Sequence, residues 1–297
     1  MSKTISDLNI AVVVLNYQNY QDTVECVNSI LEQTYRKFNI IIVENGSENE
    51  SLSILNNLFG NNPLIKILKN AINLGFAKGN NTGIKYVRKE LKADLIFILN
   101  SDTVLNKSLF EEVRRLNIEK DVAVFSPTVM NELYEIQDPT IQLNDIRRFT
   151  IGSILYLNYL FIRSLPFFRF FYKIYSDFKK RIVINNRQDL ENIHFKQSLN
   201  GSAFFLTPLF FKYYSHPYPK TFLYWEEINL IWYLHKVGLK SLVYPTSPVL
   251  HKESKSVDLE ANIESINLWK IKKSYDSFFK SVPMFFSSFN KIKNKYN

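Results

Sequence analysis

The sequence predicts an α/β fold in which a mostly parallel sheet carries helices on both faces. Two observations predict it. Short apolar runs rich in β-branched residues alternate with segments whose apolar residues recur at helical spacing. Each run ends in a cluster of turn residues. Because parallel strands need long crossover connections, this alternation predicts strands joined by helices.

The elements follow in order along the first third of the chain. Strands are predicted, from continuous apolar runs, at residues 9–17, 38–47, 64–70 and 94–102. Helices are predicted between them, at residues 20–34, 50–60 and 79–91. The first of these segments shows the apolar spacing that is typical of a helix, since Val24, Val27, Ile30 and Leu31 fall on one side of it.

Four loops follow the predicted strands, and ligands of such sheets bind outside the carboxyl ends of the strands. The loops contain Asn16 and Tyr17, Glu44 and Asn45, residues 73–83, and residues 100–102. The third loop has three glycines, which allow a ligand to approach the backbone closely. It matches neither the dinucleotide nor the Walker pattern, and a plain glycine-rich turn is the alternative.

The composition of the chain excludes some classes of protein and favours others. One cysteine, Cys26, excludes an intramolecular disulfide framework and favours a reducing cytoplasm. The net charge of +9 favours nucleic acid, anionic membranes or phosphorylated ligands as partners. No nucleic-acid-binding motif is present, so we expect no nucleic-acid partner. We also expect no signal peptide and no membrane-spanning helix, because the amino terminus is polar and no apolar run is long enough.

A basic aromatic segment occupies about residues 149–187. Seven Lys or Arg residues and one acidic residue, Asp177, lie between Arg163 and Arg187. At helical spacing one side carries Phe167, Phe168, Phe171, Tyr175 and Phe178, and the other side carries Arg169, Lys173 and Lys180. The pattern is typical of a helix on a membrane surface, and a packed helix or acceptor-site insertion is the alternative. The carboxyl-terminal tail, residues 257–297, repeats the mixture of Phe and Lys.

Four motifs, at residues 12–20, 41–51, 73–84 and 99–105, together resemble the family-2 inverting glycosyltransferases. The resemblance extends to residues 200–211, 222–245 and 249–256, and it is greatest to bacterial rhamnosyltransferase-like enzymes. It implies one domain of the Rossmann-like GT-A type over residues 1–256. A nucleotide-binding half would span about 9–105 and an acceptor half about 106–256, followed by a helical tail.

The resemblance implies a divalent cation, Mn²⁺ or Mg²⁺, held by Asp102 and His251. Such cations take oxygen ligands and substrate phosphates, which suits a carboxylate at the end of a strand. Asn100 replaces the first Asp of the family's Asp-x-Asp motif, so we expect it near the ribose or a metal-bound water. The alternatives are that Asp102 caps a helix over residues 103–116 and that His251 is structural.

The resemblance also implies that the second residue of an acidic pair is the general base. Glu227 has that place, where the family usually has Asp, and Glu226 would bind acceptor hydroxyls or cap the helix. Trp225 would stack on an acceptor sugar, or else belong to the core. Complementation of the helix dipole is the alternative for the pair.

The remaining implied contacts are to the nucleotide sugar. They involve Asn16, Tyr17, Glu44, Asn73, Gly75, Ala77, Asn81, Asn100 and Ser101. The expected enzyme transfers a hexosyl or rhamnosyl group to a glycan or lipid-linked acceptor, in bacterial polysaccharide synthesis at the cytoplasmic face of the membrane. A sugar-phosphate nucleotidyltransferase is disfavoured, because residues 16–22 lack its glycine-rich loop. A non-catalytic nucleotide-sugar-binding or membrane-associated scaffold remains the alternative.

Overall fold

The computed structural model describes residues 8–137, 140–142, 196–252 and 263–296. A seven-stranded sheet forms the centre. In spatial order its strands are β11 (Lys240–Val243), β6 (Val122–Ser126), β10 (Ala203–Leu206), β4 (Leu95–Asn100), β1 (Ile10–Asn16), β2 (Phe38–Glu44) and β3 (Ile65–Lys69). Only β10 runs antiparallel to its neighbours in this sheet. The predicted mostly parallel α/β fold is confirmed.

Helices cover both faces of the sheet. They are α1 (Tyr20–Leu31), α2 (Ser51–Phe59), α3 (Gly75–Tyr86), α4 (Leu109–Val113), α5 (Pro208–Tyr213), α6 (Glu226–His235), α7 (Ile263–Phe285) and α8 (Phe289–Tyr296). A π-helical turn, Val87–Leu91, extends α3. Among the described residues, no helix is both long and apolar enough to cross a membrane. The basic aromatic segment lies outside the described residues.

The core has two layers because β1 is buried on both faces. Ile10, Val12 and Val14 pack with α1, α2 and α4, whereas Ala11 and Val13 pack with α3, α5 and α6. A strand that is buried on both faces carries a continuous apolar run, as the sequence shows.

A second sheet holds three short strands in the order β5 (Thr103–Leu105), β12 (Val249–His251) and β7 (Val129–Met130). A third sheet pairs β8 (Thr140–Gln142) with β9 (Lys196–Ser198). The alternative of a helix that starts at residue 103 is wrong. Thr103–Leu105 pairs as a strand with β12, and α4 begins only at Leu109.

Two of the three glycines in residues 73–83 serve a different purpose from the one expected. The helix begins at Gly75, so Gly79 and Gly83 lie within α3. A Cβ atom on Gly79 would lie 2.6 Å from Leu15, and one on Gly83 would lie 2.4 Å from Val13. These two glycines therefore let α3 pack closely on β1, and the expected approach of a ligand to their backbone is wrong.

Candidate active site

Pairing of β5 with β12 brings the two predicted metal ligands together. His251 lies opposite Thr103, and the backbone N–H of Lys252 donates to the carbonyl of Asp102. Nε2 of His251 is 3.5 Å from Oδ1 of Asp102, longer than an ordinary hydrogen bond. The interpretation of Asp102 as a helix cap is wrong, because the residues that follow it form a strand.

Gln137 orients the imidazole of His251. Its Oε1 lies 3.2 Å from Nδ1 of His251. An Nδ1–H that donates to this amide oxygen leaves the Nε2 lone pair directed towards Asp102. Metal-binding histidines use such a partner on the second ring nitrogen. Sequence reasoning missed Gln137, since no motif contains it.

Asn100 and Ser101 connect β4 to this pair. The backbone N–H of Asn100 donates to the carbonyl of Ser202 at 2.8 Å, which fixes the end of the strand. Its Oδ1 is buried and has no hydrogen-bond partner within the described ranges. An unpaired buried amide oxygen is unfavourable unless a ligand or water bonds to it. Ser101 is partly buried beside it.

A cavity of about 750 Å³ opens at this end of the sheet. Its volume falls within the usual range for small-molecule sites. Five predicted site residues line it, namely Asn100, Trp225, Glu226, Glu227 and His251. The loop of Asn200, Gly201 and Ser202 forms another wall. Residues far apart in the sequence thus face one space.

The acidic pair begins α6 after an unusual turn. Tyr224 and Trp225 both have φ of +72°, a left-handed conformation that is strained for aromatic residues. Burial raises the pKa of Glu227 above its ordinary value. Burial raises the pKa of Glu226 well above its ordinary value, and the charge of Glu227 raises it further.

Trp225 packs mainly in the core. Its ring centroid is 5.0 Å from that of Phe278, and its indole N–H donates to Ser274 at 3.0 Å. Only 9% of the residue is exposed. Most of the Trp225 ring therefore belongs to the core, which was the alternative to stacking on a sugar. Only the part that borders the cavity is available to an acceptor.

Two residues that were expected to contact the nucleotide are buried beneath the loops. Asn16 is fully buried and accepts a hydrogen bond from the hydroxyl of Thr23 at 2.8 Å. Glu44 is buried as well, and its carboxylate accepts from the backbone N–H of Ser47 at 2.8 Å. Both residues hold the loops in shape, and burial leaves them no surface for the direct contact expected. Tyr17, by contrast, is exposed at the loop surface.

Asn45 joins the second and third loops, and no role was assigned to it from the sequence. Its Nδ2 donates to Oδ1 of Asn73 at 2.9 Å, and its Oδ1 accepts from Asn70 at 2.9 Å and from the N–H of Leu74 at 3.2 Å. Oδ1 of Asn73 also accepts from the N–H of Gly75 at 2.8 Å. This amide network positions the start of α3.

The remaining predicted residues belong to α3. Gly75 has φ of +77°, and a Cβ atom there would lie 2.4 Å from the carbonyl of Phe222. Ala77 and Asn81 are buried, and Asn81 donates to the carbonyl of Pro217 at 3.0 Å. Ala77 and Asn81 thus face the protein interior rather than the open cavity, contrary to the expectation that they line the donor path.

Parts of this chain resemble known proteins in sequence. The model of the family "Glycosyl transferase family 2" matches residues 11–177. Glycosyltransferase GlyG of Streptococcus pneumoniae is 32% identical over 115 residues, 39% of this chain and 37% of that protein. The hexosyltransferase Agl10 of Haloferax volcanii, of low-salt glycan biosynthesis, is 22% identical over 123 residues, 41% of this chain and 37% of that protein. The chain thus spans less than two fifths of the length of these relatives.

A solved structure extends the comparison to the fold. The mannosyltransferase PcManGT of Pyrobaculum calidifontis, in complex with GDP-Man and Mn²⁺, aligns with a TM-score of 0.57 at 12% identity. The alignment covers 99% of this chain and 69% of that one. At this identity the likeness shows the fold, which is of the GT-A type. Since the family model spans more than half of the chain, the protein belongs to glycosyl transferase family 2.

Proposed function

We propose that this protein is a metal-dependent inverting glycosyltransferase. It moves a hexosyl group, such as a rhamnosyl group, from a nucleotide-sugar donor to a glycan or lipid-linked acceptor in bacterial surface-polysaccharide synthesis. The observation that carries the proposal is that Glu227 and His251, the latter beside Asp102, face one cavity. Family membership and the nucleotide sugar bound by PcManGT support the donor class.

Asp102 and His251 fit a divalent cation. Within the described residues, no group of three or more His, Cys, Asp or Glu residues suits a metal. A pair of protein ligands is nevertheless usual for cations that bind substrate phosphates, which complete the coordination. When bound, the cation stabilises negative charge on the departing diphosphate. Asn100 contributes an uncharged oxygen to the lining of the same cavity as His251. The proposed path of the donor also includes Tyr17, Asn73, Gly75 and Ser101.

Glu227 is the proposed general base. It takes the proton of an acceptor hydroxyl while that oxygen attacks the anomeric carbon. The diphosphate leaves from the opposite face, so one displacement inverts the configuration. A raised pKa suits this role, because a base works best when its pKa lies near the working pH.

The protein is further proposed to act peripherally at the cytoplasmic face of the membrane. Trp269 and Phe279 on α7 and Phe286 just after its end are exposed, Phe279 by 61% and Phe286 by 58%. Lys272 and Lys280 lie on the same exposed stripe, together with Asp276, which pairs with Lys280. Aromatic side chains with lysines between them suit an anionic lipid surface, where lipid-linked acceptors are found.

The test is release of nucleoside diphosphate from a panel of nucleotide sugars, with and without Mn²⁺. Asp102→Asn should abolish the Mn²⁺-dependent release. Asp121→Asn is the matched control, because Asp121 pairs with Lys240 where β6 and β11 begin, whereas Asp102 follows the end of β4. Binding without release for every donor would indicate the non-catalytic alternative. The anomeric configuration of the product, read by NMR, tests inversion.

A further inference from the structure

A second, much smaller cavity lies beside the acidic pair and is lined by residues of α3 and α6. Its volume of about 20 Å³ suits one water molecule. The polar side chains that line it are those of Asn80, Asn81, Tyr218, Glu226 and Glu227, and the rest of the lining is mostly apolar. Three lining atoms, Oδ1 of Asn80, Oδ1 of Asn81 and Oε1 of Glu226, are buried without a hydrogen-bond partner among the described residues.

The two amide orientations are fixed by their other bonds. Nδ2 of Asn80 donates to the carbonyl of Phe76 at 3.1 Å, and Nδ2 of Asn81 donates to the carbonyl of Pro217 at 3.0 Å. Turning either amide over would set an oxygen against a carbonyl oxygen. The amide atoms without partners are therefore acceptors, and an ionised Glu226 would add a third acceptor. Buried acceptors without a donor are strongly unfavourable.

We infer that Glu226 is a protonated carboxylic acid in the resting protein, and that its O–H donates towards Asn80 and Asn81, directly or through one water molecule. The acidic pair then carries a single negative charge, on Glu227. A neutral Glu226 places no second charge beside Glu227, which keeps the proposed base able to ionise. Glu226 is thus a positioning residue, in contrast to the acceptor-binding role expected from the sequence.

The charged and titratable groups around the cavity agree with this protonation. Burial and the charge of Glu227 raise the pKa of Glu226, and these two effects outweigh the hydroxyl of Thr221 and the backbone N–H of Glu226, which lower it. From the neighbouring loop, His216 faces Asn81, and burial, with Lys85 and Arg88 nearby, lowers its pKa, which favours neutral imidazole. The hydroxyl of Tyr218 is committed to the carbonyl of Lys280 at 2.6 Å. The amine of Lys280 itself pairs with Asp276.

The inference rests on the proposed function for the role of Glu227, but the proton on Glu226 is measurable without turnover. The experiment is infrared spectroscopy of the full chain with ¹³C-labelled glutamate at pH 7. We expect a carboxylic-acid C=O band that is lost in Glu226→Gln and kept in Glu227→Gln. Absence of the band, or its loss only in Glu227→Gln, would overturn the inference. A chain inactive towards every donor that keeps the band would overturn only the proposed function.

A second measurement, of stability against pH, tests the same inference if a variant is too unstable for spectroscopy. Folding raises the pKa of Glu226. Its contribution to the free energy of unfolding is therefore complete below the ordinary pKa of Glu and is lost as the pH rises to the pKa of the folded protein. As the pH rises from the ordinary pKa of Glu to the raised pKa of the folded protein, the unfolding temperature of the wild type should therefore drop more steeply than that of Glu226→Gln. Glu226→Leu, which offers no donor, should be less stable than Glu226→Gln at every pH. Equal slopes, or stabilisation by Na⁺ or K⁺ that Glu226→Gln removes, would contradict a bound proton.

Discussion

A Cβ atom on Gly201 would lie 1.6 Å from Oε1 of Glu227 and 2.4 Å from its Cδ. The carboxylate of the proposed base therefore rests directly on the backbone of the loop before β10. Any side chain at position 201 would displace it. The segment 200–211 resembles the family's strand of small residues. In this protein position 201 must be small because the carboxylate of Glu227 occupies the space that a side chain would need.

Gly201→Ala should reduce kcat because the added methyl group moves the carboxylate. A misplacement of about 1 Å is enough for a loss of about 10²-fold. The measurement is steady-state kinetics on Gly201→Ala, Glu227→Gln and the double variant. If the alanine acts by displacing the base, the double variant should be no slower than Glu227→Gln alone. Additive losses would show that Gly201 acts through another group.

Glu227→Gln should lower turnover by about 10²–10⁴, the usual share of a general base, with little change in donor affinity. Glu227→Asp should be milder, since it keeps the carboxylate. Only the ionised form accepts a proton, so the raised pKa predicts that kcat of the wild type rises with pH through that pKa. Glu90→Gln is the control, because Glu90 is exposed and pairs with Lys89. Full activity in Glu227→Gln would place the base elsewhere.

Gln137→Leu should weaken Mn²⁺-dependent binding of the nucleotide sugar by about 10–100-fold, the usual effect of losing such a partner. The cause is loss of the acceptor that orients Nδ1 of His251. Asp102→Ala should abolish the Mn²⁺-dependent part of binding. Calorimetry with and without Mn²⁺ measures both effects, and Gln137→Glu, which keeps an acceptor, should bind better than Gln137→Leu. Unchanged Mn²⁺-dependent affinity in Asp102→Ala would contradict the metal site.

Sequence patterns were sufficient for the central strands and for the polar residues that follow β4. The runs around Val12, Ile41 and Ile98 are continuous because these strands are buried on both faces. Asp102 and His251 were paired only through the family resemblance, since no local pattern indicates that β12 lies beside β5. The same strand pairing excludes the alternative of a helix that starts at residue 103.

Burial of polar side chains was what the sequence did not reveal. Asn16, Glu44 and Asn81 stand where ligand contacts are expected, yet hydrogen bonds within the protein hold each of them. Polar residue types at the end of a strand suit ligand binding and loop support equally well. Only the partners, which come from distant segments, separate the two roles.

Asn45→Ala should lower the free energy of unfolding by about 1–3 kcal/mol, the usual result of leaving buried polar groups unpaired. Asn70 and the N–H of Leu74 would both lose their acceptor. Urea denaturation measures the change, and Asn57→Ala, at an exposed position of α2, is the control. Donor affinity should fall as well, because Asn73 is no longer held. A stability equal to that of the control would show that the network is dispensable.

The exposed stripe of α7 should bind anionic vesicles. The double variant Phe279→Ser/Phe286→Ser should float less with vesicles that contain anionic lipid, because it removes the apolar side chains expected to enter the interface. High salt should weaken binding of the wild type by screening its lysines. The control is Leu58→Ser/Leu133→Ser, which removes two exposed apolar side chains elsewhere. Equal flotation of both double variants, or none by the wild type at either ionic strength, would contradict the proposed membrane surface.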